Sequence, residues 1–107
     1  MAYNPSMFSG DRSVRRLQVE VGHSPTARVQ DLTVSVNVIL RHLHAPERAR
    51  QSLEQARCLL QILRVSVELK VRAARHLQNA DQYLSRGESG AARWELDALR
   101  HVLARQA

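Results

Sequence analysis

Between residues 31 and 43 the chain reads DLTVSVNVILRHL, alternating apolar and polar positions at first and then breaking into Val38-Ile39-Leu40. Alternation is the two-residue period of a strand, whereas steps of three and four belong to a helix. As a helix, 31–44 gathers Leu32, Val36, Ile39, Leu40 and Leu43 on one face, with Asp31 as its N-cap. The later segments carry only the helical period and offer no strand to pair with. Consistency along the chain therefore favours a helix over the β-branched propensity of Val34, Val36 and Val38. In that helix Val34 and Val38 point away from the main stripe, beside Asn37 and Arg41, and have no use inside the chain.

Residues 47 to 86 contain neither Gly nor Pro. Pro46 suits a first helical turn, Glu47 suits the positive end of the helix dipole, and Gly87 suits a helix C-terminus. Polar residues at 50, 54, 57, 61, 64, 68, 72, 75, 79, 82 and 86 keep steps of three or four without slipping. That phase predicts one continuous helix over 47–86, about 60 Å long at 1.5 Å per residue. Its middle, CLLQILRVSVELKVRAA from 58 to 74, is apolar around most of its girth. A surface helix usually shows an apolar face only a little over 100° wide. Unless the two shorter helices straddle the arc, one on each stripe, and close the core alone, they leave aliphatic surface for another copy of the chain, as a homodimer, or for a different protein. Inside the arc, Ser66 is expected to bond back to a carbonyl four residues earlier. Lys70 is expected to snorkel outward or to meet a carboxylate such as Glu95.

A third helix is expected over 89–104, with Ser89 as N-cap and Ala92, Leu96, Leu99 and Leu103 as its stripe. Around the preceding turn, Ala80, Tyr83, Gly87, Ala92 and Leu96 resemble a tetratricopeptide-type hairpin, which implies shared helix packing and carries no function. Trp94 lies opposite Leu96, where a tryptophan either fills a core or anchors a partner. The fold expected is thus all-α: short, long and short antiparallel helices at 31–44, 47–86 and 89–104. Residues 31–107 form a helical interaction domain. Residues 1–30, with Pro5, Pro25, Gly10, Gly22 and Arg12, Arg15 and Arg16, read as a flexible basic arm.

Charge adds one competing reading. The chain carries +6 net charge, with Lys70 its only lysine. Arg50, Arg57, Arg64, Arg72, Arg75 and Arg86 on one helix face could follow a phosphate backbone. Against this, Glu54 and Glu68 interrupt the face and no aromatic residue lies on it for stacking. The single cysteine, Cys58, excludes an internal disulfide, fits a cytoplasmic setting and reads as a small core hydrophobe. No apolar run approaches the length of a membrane span and no signal peptide is evident.

Reactive chemistry is scarce. His42 and His44 are two apart, which on a helix sends them to different faces, and neither has the Cys or carboxylate support that zinc requires. Their place at a helix C-terminus is explained by the dipole. Cys58 has no sequence neighbour to act as its base. RGESG at 86–90 follows a helix, so it is no phosphate loop. No catalytic residue, metal or cofactor is expected. The expectation is a non-enzymatic regulator that binds another protein through Val34, Val38, Leu60, Val67, Val71 and Trp94. An antiactivator competing for a transcription factor's dimerisation surface fits this build, as do secretion chaperones and immunity proteins. The alternative is a basic nucleic-acid-binding protein.

Overall fold

A computed structural model describes residues 27–106, which form four α-helices: α1 Val29–Arg41, α2 Pro46–Ile62, α3 Val67–Ser85 and α4 Ser89–Ala104. The chain is all-α, and DLTVSVNVILRHL is helical. Most of the expected N-terminal arm, residues 1–26, lies outside the described residues, while Ala27 packs half-buried against the core. α1 starts two residues earlier than its pattern suggests. Asp31 is accordingly not the N-cap but sits in the first turn, where its carboxylate accepts from the Arg28 backbone N–H at 2.8 Å.

Each helix repeats its buried positions in steps of three and four. These are Leu32, Val36, Ile39 and then Leu43 after α1, Ala49, Leu53, Ala56 and Leu60 on α2, and Ala92, Leu96, Leu99 and Leu103 on α4. On α3 the set is Leu69, Ala73, Leu77, Ala80 and Leu84. Such seams are those of an antiparallel bundle, in which alanines let neighbouring backbones approach and leucines fill the space between. α1 packs on α2 and α4, and α3 packs on α2 and α4. The four helices therefore close a ring in which α1 and α3 are diagonal.

The 47–86 stretch departs from its expected form. It is helical at both ends but interrupted at residues 63–66, and its halves fold back on each other. Arg50, near the start of α2, pairs with Asp81, near the end of α3, at 3.0 Å. In an unbroken helix, 31 residues would hold that pair about 46 Å apart. Leu63 and Ser66 both adopt extended backbone, with ψ of 140° and 153°. Ser66 caps α3, its Oγ accepting from the Leu69 N–H at 3.1 Å, in place of the expected bond back to an earlier carbonyl. Glu68 then lies in a first turn, where the dipole favours it.

The driving force is the wide apolar arc itself. A straight rod leaves much of it in water, whereas folding back buries Leu60, Leu63 and Leu69. Each such leucine is worth roughly 1.5–3 kcal/mol when fully buried. Closing a four-residue loop costs little against that gain. Replacing the cap, Ser66→Ala, is expected to cost about 1 kcal/mol in urea unfolding while leaving the bundle intact.

The remaining ends follow local rules. Pro46 occupies the first helical position of α2. α3 ends in a Schellman turn, with Glu88 N–H donating to the Tyr83 carbonyl at 2.8 Å and Gly87 N–H to Leu84 at 3.0 Å. Gly87 has φ of 75°, the left-handed conformation this turn requires. Ser89 is the first helical residue of α4, with Glu88 at the N-cap and no side-chain cap bond. His42 caps α1, its Nδ1 donating to the Val38 carbonyl at 2.9 Å.

Candidate functional site

The bundle seals its interior with one chain, so apolar side chains left outside are surplus to the core. Among the described residues five large ones are exposed: Val34, Ile62, Val67, Val71 and Trp94. Of the six residues expected to contact a partner, Val34, Val67, Val71 and Trp94 are among them. Val38 is half-buried on α1. Leu60 is only 5% exposed and belongs to the core, because folding back at 63–66 brings α3 against it.

The six do not form one surface. Val67 and Val71 are one helical turn apart on the outer face of α3. Val34 lies on α1, the helix diagonal to α3, and Trp94 lies on α4 opposite its leucine seam. Ile62, absent from the expected set, ends α2 and is 58% exposed. Its neighbour Gln61 lines the groove that contains Val71. The run of apolar residues around 58–74 was the signal for Ile62, but which member stays outside depends on where the helix breaks.

The groove lies between the end of α2 and the start of α3. It is an open depression of about 460 Å³, with Leu60, Val71 and Ala74 as apolar lining and Arg57, Lys70 and Gln61 among its polar lining. A second depression of about 320 Å³ adjoins it at Val71 and includes Val67, Glu68, Arg72 and Arg75. Lys70 Nζ donates to the Gln61 carbonyl at 3.1 Å, which satisfies an orphan carbonyl at the end of α2. The Lys70–Glu95 pairing envisaged from sequence does not occur. Covering Val67 and Val71 on binding would contribute roughly 1.5–3 kcal/mol per fully buried side chain.

At its other end the same helix pair is mixed in charge. Glu47, Arg50, Glu54 and Asp81 surround a polar depression there, with Arg50 and Asp81 paired. At the valine end the lining cations Arg57, Lys70, Arg72 and Arg75 are accompanied by a single carboxylate, Glu68.

Two other clusters bring titratable side chains together. Glu95 is 7% exposed between α3 and α4, where its carboxylate accepts from His76 Nδ1 at 2.8 Å and from Asn79 Nδ2 at 3.4 Å. Both side chains of this pair are mostly buried, and their contact ties α3 to α4. His42 and His44 stack with ring centroids 6.4 Å apart, contrary to their expected separation, because His44 lies beyond the helix end. Among the described residues no three His, Cys, Asp or Glu side chains converge as a metal site would require. Cys58 is exposed, not the core residue expected. No helix among the described residues is long and apolar enough to cross a membrane.

Trp94, at 69% exposed, gives a direct check of the surface. As the only tryptophan, it should fluoresce like free indole in water and be quenched by iodide almost as strongly in the folded as in the unfolded protein. A blue-shifted, protected emission would place it in an interface. Comparison with known proteins finds no matching family model, no matching curated protein and no matching solved structure.

Proposed function

We propose that this chain is a non-enzymatic regulator that acts by covering a surface of another protein. One observation carries the reading: Val67 and Val71, one turn apart on α3, stand in solvent on a bundle whose core is complete without them. Residues free of a packing role can be selected for contact, and aliphatic residues on a helix face mimic the surfaces through which helical proteins dimerise. Occupying such a surface on a transcription regulator would make the chain an antiactivator. The wide exposed arc from which both a homodimer and a different partner were expected is reduced by the fold-back, so the reading is supported instead by the aliphatic residues that stay outside.

A photo-crosslinking residue at position 67 tests this reading in a lysate of the native host. Position 67 should yield a discrete protein adduct that the exposed polar position Gln55 does not. Identical adduct patterns from the two positions would contradict it.

A further inference from the structure

We propose that the α2–α3 groove around Val71 receives an acidic, aliphatic helix of another protein. The inference rests on the binding-protein reading above and gives it a site and a chemistry.

The first support is the sign of the charge. Arg57 and Lys70 line the groove, and Arg72 and Arg75 flank the adjoining depression at Val71. Arg64 is exposed in the turn between the two helices. None of these five cations is ion-paired among the described residues, where the pairs are Arg50–Asp81, His76–Glu95 and Arg100–Asp97. Glu68 is the one carboxylate among them. Fixed charge of one sign around an apolar centre selects an occupant of the other sign and speeds its approach.

The second support is the apolar centre itself. Val67 and Val71 are 76% and 52% exposed, one turn apart, with Leu60 buried behind the groove. That spacing accepts side chains at i and i+3 or i+4 of an opposing amphipathic helix. A second copy meeting this face through a two-fold axis would bring the cluster of cations against itself, which disfavours self-association here. A nucleic-acid backbone would satisfy the cations but leave the valines unused. An acidic aliphatic helix satisfies both.

The test uses the full chain and two fluorescein-labelled amphipathic peptides that share one leucine face, flanked by Glu in one and by Lys in the other. Anisotropy at physiological salt should show the Glu peptide binding at least about tenfold tighter than the Lys peptide. Val71→Asp, and separately the pair Arg57→Glu with Arg72→Glu, should each weaken it by about tenfold or more, whereas Val34→Asp should not. Val67→Ser gives a milder variant should Val71→Asp unfold, and circular dichroism checks each fold. Equal binding of the two peptides, binding of neither, or indifference to Val71→Asp and Val67→Ser would overturn the proposal. So would a random-sequence DNA duplex that binds more tightly than the Glu peptide and ignores Val71→Asp. If the peptides fail while cross-linking at position 67 persists, the acidic chemistry is wrong and the binding reading stands; if both fail, both fall.

Discussion

Leu77→Ala should lower the free energy of unfolding by about 2–5 kcal/mol, the range for removing a fully buried leucine. Leu77 is 0% exposed in the middle of the α3 seam, where no solvent can fill the space left behind. Small domains hold only about 5–15 kcal/mol in total, so this one truncation should remove a large share of the stability. The melting temperature should fall by at least about 8 °C, given about 4–8 °C per kcal/mol for a domain of this size. Val67→Ala is the matched control, at 76% exposed, and should stay within about 0.5 kcal/mol of the parent. Urea unfolding followed by circular dichroism measures both. Equal effects would mean that Leu77 is not where the seam places it.

The second large effect is expected at His76. His76→Ala leaves the Glu95 carboxylate between α3 and α4 with only the longer contact from Asn79. Stranding a buried acceptor costs about 1–3 kcal/mol, and the penalty belongs to the group left behind more than to the bond removed. Glu95→Leu should therefore cost less than His76→Ala, because it removes the group that needs a partner. Adding Glu95→Leu to His76→Ala should recover part of the loss. A double variant less stable than either single change would show that the pair does not act as described.

Much of the fold was legible because burial imposes a period. The seam on α1, Leu32, Val36, Ile39 and Leu43, and the seam on α4, Ala92, Leu96, Leu99 and Leu103, are the same residues that the three-and-four steps select. The turn at Gly87 was legible because only one conformation fits it. The break at 63–66 was not, for a geometric reason. Four residues are close to the 3.6 of one helical turn, so the polar stripe resumes at Glu68 nearly in phase after an interruption of that length. The local sign was Ser66 between Val65 and Val67, with Glu68 next: a capping residue among β-branched neighbours. It is weak beside a stripe spanning forty residues.

The surface was only partly legible. Val67, Val71, Val34 and Trp94 stood out because they are apolar and off their helix seams, and they are exposed. Leu60 was misplaced because its environment depends on the fold-back, which brings Lys70, Val71 and Ala74 of α3 beside it. The same event turns a girdle of aliphatic residues into a closed core plus a small patch beside unpaired cations. Local pattern cannot separate those two outcomes, since both place the same residues on the same side of each helix.

The fold-back is therefore the event on which both the sealed core and the residual valine patch depend. The most direct measurement is the distance between spin labels at Gln51 and Gln82, both exposed. Packed helix axes lie about 8–10 Å apart, so the hairpin places the two labels within about 20 Å of each other. A separation near 46 Å, the length of 31 residues in one continuous helix, would contradict it.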